Sequence, residues 1–147
     1  MAVDICGMAP LIQVFDMPRS IRFYRDVLEF RVVETAGPDG DCGWALLERD
    51  GVELMLNTAY EADGRPAEED PARRAAHGDT CFYFGCRGID DAYETLRGRG
   101  ASPQPPAVAS YGMRQMYVQD PDGYMLCFQW PASEEMREQW RERYAAG

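Results

Sequence analysis

The side chains able to do chemistry are few in this sequence, and they are scattered. There is one histidine, His77, and the five cysteines (Cys6, Cys42, Cys81, Cys86 and Cys127) form neither a CxxC pair nor a zinc-ribbon spacing. All 15 basic residues are arginine, which excludes Schiff-base chemistry and a P-loop lysine. A thiol nucleophile at Cys127 with Glu53 as base is one arrangement the residue types allow. It lacks a base beside the thiol, because the sole histidine is distant in the pattern. Glu53 falls on an inward-facing strand position, where a carboxylate calls for an arginine partner or a ligand. Trp44, Tyr83 and Tyr117 sit on strands and could stack a planar ligand. Gln13, Asn57 and Gln129, near strand ends, could hydrogen-bond one.

The elements that must position these residues follow from the hydrophobic pattern. Ala9 to Phe15 reads as a strand, Asp16 as a helix N-cap with Pro18 in the first turn, and Ile21, Tyr24 and Leu28 as one buried helical face. Glu29 stands where a helix-terminating glycine would be comfortable, so a turn there at positive φ carries a small strain. Strands are predicted over 30–34, 44–48 and 52–57, the last two joined by an Asp50-Gly51 hairpin. Residues 58–78 change to Ala, Glu, Asp, Arg, Pro and Gly, a long acidic linker. The order then repeats: a strand over 80–84, a helix over 89–97 ending at Gly98 or Gly100, and a proline-rich stretch fit only for an edge strand or loop. Strands over 113–119 and 124–130 follow, joined by Asp120-Pro121-Asp122-Gly123. Ser133 caps a last helix carrying Met136, Trp140 and Tyr144 on one face.

The halves also agree residue by residue. Asp50-Gly51-Val52-Glu53-Leu54-Met55-Leu56-Asn57 matches Asp122-Gly123-Tyr124-Met125-Leu126-Cys127-Phe128-Gln129 at an offset of 72 residues, Gly51 to Gly123. An internal duplication of a βαβββ unit is the reading. The expected fold is α+β: two such modules (about 8–57 and 79–130) forming a curled, cup-like mixed sheet, with the linker 58–78 between them and an added C-terminal helix over 133–145, all one domain spanning 1–147.

Asp16-Met17-Pro18-Arg19-Ser20-Ile21-Arg22-Phe23-Tyr24-Arg25-Asp26-Val27-Leu28-Glu29-Phe30 and Asp120-Pro121-Asp122-Gly123-Tyr124 resemble the first-helix signature and last hairpin of the vicinal oxygen chelate superfamily. That superfamily holds glyoxalases, extradiol dioxygenases and bleomycin- and fosfomycin-resistance proteins. The resemblance implies that the paired modules make a cleft and that the chain dimerises. It also implies where metal ligands would lie: Ala9, Met55 with Glu53 one inward position earlier, a residue near Asp79 and Cys81, and Cys127. Ala9 cannot ligate, and two of the other positions carry sulfur, so a hard-cation site is not expected. The pattern is most similar to the metal-free bleomycin-resistance branch, which shares a proline equivalent to Pro10.

The function expected is therefore metal-free small-molecule binding of a sequestering, antibiotic-resistance-like kind, with no cofactor and no catalytic residue. The ligand set is Gln13, Trp44, Glu53, Met55, Asn57, Tyr83, Tyr117, Cys127 and Gln129. The alternative is a metal-dependent lyase or dioxygenase with the atypical ligands Glu53, His77, Asp79 and Cys127. A net charge of −10 and a pI of about 4.5 disfavour nucleic acid and anionic membranes and suit a cationic or aromatic ligand. No apolar stretch approaches the ~20 residues of a membrane span. With no signal peptide expected either, a cytoplasmic homodimer is the reading.

Overall fold

A computed structural model describes residues 2–144 of the 147. They divide into two compact units, with the division between Arg73 and Arg74. The boundary falls inside the predicted linker, which is not featureless. It holds short helical turns at Ala62–Gly64 and His77–Asp79, and a helix, α2, at Pro71–Ala76. Among the described residues no helix is long and apolar enough to cross a membrane.

The first unit is a four-stranded mixed sheet in the order β1-β4-β3-β2: β1 Leu11–Gln13, β2 Arg31–Ala36, β3 Trp44–Arg49 and β4 Val52–Asn57. β1 runs parallel to β4, and the other pairs are antiparallel. The strand predicted over 9–15 forms a ladder over only three residues. Helix α1 (Met17–Arg22) starts where Asp16 accepts a hydrogen bond from the Arg19 amide at 3.1 Å. At Phe23–Val27 the helix widens into a π turn, so Tyr24 and Leu28 are buried while Ile21 is only half-buried. Glu29 has φ 63, and its carboxylate is held by Arg49 at 2.6 Å. Asp50 (φ 49) and Gly51 (φ 82) make the expected tight hairpin. Strand alternation sends Ile12, Ala45, Leu47, Leu54 and Leu56 to one face, where they are buried as Met17, Ser20 and Tyr24 are.

The second unit repeats the design. Its sheet is ordered β5-β8-β7-β6: β5 Cys81–Gly85, β6 Ala107–Val108, β7 Met113–Gln119 and β8 Met125–Pro131, with β5 parallel to β8. Helix α3 (Ile89–Gly98) lies on β7 and β8 and buries Ile89 and Leu96. The offset seen in the hairpins extends across the unit. Met17 and Ile89 open equivalent helices, and the parallel pair Leu11–Met55 becomes Tyr83–Cys127. The Asp120–Gly123 turn is locked by the Asp120 carboxylate, which accepts from the amides of Asp122 and Tyr124, both at 2.9 Å. Gly123 (φ 87) is needed there, since a Cβ would collide with the Arg74 carbonyl.

The C-terminal helix α4 (Glu134–Tyr144) begins with Ser133 accepting from the Met136 amide at 3.3 Å and packs on β8. Trp140 meets Trp130 edge to face, ring centroids 5.3 Å apart. Of the predicted stripe, Met136 and Trp140 are half-buried, and the Tyr144 side chain lies outside the described residues, as does residue 145.

Candidate functional site

Strand register sorts the expected ligand residues into rows on one face of each sheet. In the first unit, Gln13, Asn57 and Trp44 are direct neighbours across β1, β4 and β3, and the Asn57 amide donates to the Gln13 carboxamide oxygen at 3.2 Å. The next row holds Leu11, Met55 and Leu46. Glu53 opens the row beyond, opposite Glu48.

Glu53 differs from its sequence expectation. It is exposed, with no hydrogen bond or ion pair among the described residues, so no desolvation cost demands a partner. The arginine goes to Glu48 instead: Arg31 holds it at 2.9 Å, and the Gly51 amide donates to it at 2.9 Å. The Gly51 amide first, then Arg31, keep the Glu48 carboxyl below its usual range.

In the second unit, Tyr83, Cys127 and Tyr117 form one row across β5, β8 and β7. Hydrogen bonding with Tyr83, then burial and the Cys127 thiol, hold the Tyr117 phenol well above its ordinary pKa. Burial likewise pushes the Cys127 and Cys81 thiols up, so both stay protonated and poorly nucleophilic at neutral pH. Tyr83 is exposed to 54% and offers its ring to solvent.

One row on, Gly85, Gln129 and Gln115 are neighbours. Gln115 is a residue the sequence reading missed. It is 7% exposed, and its amide nitrogen donates to the Tyr111 hydroxyl at 2.5 Å and to the Gln129 carboxamide oxygen at 3.0 Å. Its own oxygen accepts from Tyr117 at 3.2 Å. The available signal was the alternation Gln115, Tyr117, Gln119 along β7, which sets polar groups on the same face as Gln129.

His77 belongs to the scaffold of this unit. Its ring stacks on Tyr124 with centroids 4.0 Å apart. Nδ1 donates to the Asp122 carbonyl at 2.7 Å, which leaves Nε2 to accept from the Tyr124 hydroxyl at 3.3 Å.

The family model for the Glyoxalase/Bleomycin resistance protein/Dioxygenase superfamily matches residues 7–128. The chain belongs to that superfamily. Solved structures share its fold. One is a glyoxalase/bleomycin resistance protein/dioxygenase from Nocardioides (24% identity, TM-score 0.67, covering 90% of this chain and 88% of that one). Another is a bleomycin resistance determinant encoded on the transposon Tn5 (17%, TM-score 0.66, 88% and 100%). A third is TnmS3, an antibiotic binding protein from Streptomyces sp. CB03234 (19%, TM-score 0.60, 89% and 98%). Among curated proteins, none matches the chain in sequence.

The residues at the superfamily's ligand positions do not fit a divalent metal. Ala9 has no donor atom, Met55 offers a thioether, and Cys127 is a thiol that burial keeps protonated. Both nitrogens of His77 are spent on the hairpin. Among the described residues, no three His, Cys, Asp or Glu side chains come together as a donor set.

Proposed function

We propose that the protein binds a small aromatic molecule without metal and sequesters it unchanged, as an antibiotic-resistance protein does. The observation that carries this reading is what paves the sheet faces. They present carboxamides (Gln13, Asn57, Gln115, Gln129), phenols (Tyr83, Tyr117), an indole (Trp44) and soft sulfur (Met55, Cys127), with Glu53 as the one carboxylate among the expected ligands. Such groups stack and hydrogen-bond, but they neither hold a hard cation nor move protons at neutral pH. The bleomycin resistance determinant and the antibiotic binding protein of like fold support the same direction.

The two modules act as one domain in this proposal, and the chain works as a homodimer in the cytoplasm. Val3, Ile5 and Met8, exposed to between 79% and 87%, supply apolar surface for a second copy. Five free cysteines suit a reducing compartment.

The test is calorimetric titration of bleomycin and a panel of planar aromatic antibiotics into chelator-treated protein. Saturable binding of at least one compound at one site per chain is expected. Binding that appears only on adding a divalent metal would replace this reading with a metal-dependent one.

A further inference from the structure

The hydrogen-bond polarity around Gln115 specifies what kind of atom the second unit recognises. Gln115 spends both amide protons, one on Tyr111 and one on Gln129, and spends its oxygen on Tyr117. The consequence falls on its two partners. The Tyr111 hydroxyl already accepts, so its own proton points elsewhere. The Gln129 oxygen already accepts, so its amide nitrogen is turned away with two protons to give. Neither donor has an acceptor among the described residues. Tyr111 is 58% exposed and Gln129 is half-buried, so both donors are open to an incoming molecule.

On its β5 side, Gln129 is flanked by a position that indole rings cover. Its neighbour on β5 is Gly85, which has no side chain. The space a Cβ would take there is bounded by Trp140 Cζ3 at 3.6 Å and Trp130 Cζ3 at 3.9 Å. Arg87 lies over the Trp130 ring, 5.3 Å from its centroid, and so stiffens that wall. Trp130 and Trp140 lie beyond residue 128, outside the stretch matched by the family model. This corner sets two indoles against Gly85, beside two hydrogen-bond donors with no acceptor among the described residues.

From this geometry we infer that Gln129 and Tyr111 recognise an acceptor oxygen, and that the ligand is a neutral planar aromatic carbonyl compound such as a quinone or aryl ketone. The inference rests on the binding role proposed above and deepens it. A carboxylate or phosphate would also accept, but a chain of net charge −10 repels anions at long range, whereas a carbonyl carries no such cost. A ligand offering only donors at this position would leave the two Gln129 N–H groups facing its own protons.

Acridone and carbazole test this directly, since both are neutral planar three-ring compounds and only acridone carries a carbonyl, carbazole offering a donating N–H alone. Fluorescence titrations of both use the wild-type chain, Gln129→Glu and Tyr111→Phe. Gln129→Glu keeps an oxygen to accept from Gln115 while replacing the outward donor by an acceptor, so the internal network survives. Circular dichroism melts confirm that each variant folds. The wild type should prefer acridone. Gln129→Glu should weaken acridone by about tenfold and bring the two probes to parity or reverse them, and Tyr111→Phe should weaken acridone by a smaller factor. A wild-type preference for carbazole, or an acridone affinity indifferent to both substitutions, overturns the acceptor assignment while leaving the binding role standing. Failure of both probes and of the wider antibiotic panel overturns both.

Discussion

Replacing Gln115 by leucine separates the scaffold value of its amide from its value in aiming other groups. The shape is nearly conserved, and three hydrogen bonds are lost, to Tyr111, Gln129 and Tyr117. At about 0.5–1.5 kcal/mol net for each, their simple total would be about 1.5–4.5 kcal/mol. Most of that is not collected. The Tyr111 hydroxyl is exposed and the Gln129 amide half-buried, so both exchange the protein partner for water. Tyr117 keeps its hydrogen bond with Tyr83. Leucine at a site 7% exposed also regains the desolvation cost of the amide. The expected loss is therefore about 1–2 kcal/mol. Urea unfolding followed by circular dichroism should show a lower midpoint at an unchanged slope. Thermal melting should fall by about 2–8 °C for a chain of this size. Acridone affinity should fall at least as far as in Gln129→Glu, because both outward donors lose their fixed direction. A variant as stable as the wild type that binds acridone equally well would refute the account of this network.

Other expectations follow from single features. Glu53→Gln should leave stability unchanged or slightly raised, because the carboxylate is exposed, unpaired and opposite Glu48. A fall of several degrees in melting temperature would show that it has a structural partner. Thiol labelling of the native protein should modify the exposed Cys6 first and reach the buried Cys42 and Cys127 only on unfolding, read by mass spectrometry; early labelling of Cys127 would contradict its burial. The hydrogen bond from Arg114, more than charge alone, holds the Asp90 carboxyl below its usual value. Its contribution is therefore present above the unfolded carboxyl pKa of about 3.9 and is lost as pH falls through the lower folded value. Melting curves of Asp90→Asn should show less acid sensitivity than wild type between about pH 4 and pH 2. Light scattering at micromolar concentration should give the mass of two chains, and a monomer mass would contradict the dimer.

How much of this was legible in the sequence depends on the range of the interaction involved. The repeat was legible because it is written in local chemistry. Asp-Gly turns require positive φ at their glycines, and period-two alternation puts Leu54, Leu56 and Leu126 on buried faces while Met55 and Gln129 take the others. The faces of Gln13, Trp44, Asn57, Tyr83, Tyr117 and Cys127 followed from the same alternation. What stayed hidden lay outside simple periodicity. The π turn at Phe23–Val27 changes which residues of the first helix are buried, and nothing in the 3.6-residue spacing announces it. Alternation alone makes Glu53 look desolvated because it fixes a face and not a depth, and the end of a hairpin strand reaches solvent on either face. Tyr111 gives no sequence signal because it lies in a turn; only the folded hairpin carries its hydroxyl to Gln115.

The central claim is metal-free binding without chemical change, and one measurement bears on it most directly. Chelator-treated protein would be saturated with the tightest-binding compound of the antibiotic panel, held for hours, then unfolded in acid, with the released compound analysed by mass spectrometry and the affinity measured with and without added zinc, iron and manganese. The account predicts full recovery of an unaltered compound and an affinity insensitive to metal. Conversion of the compound, or binding that requires one metal ion per chain, would contradict it.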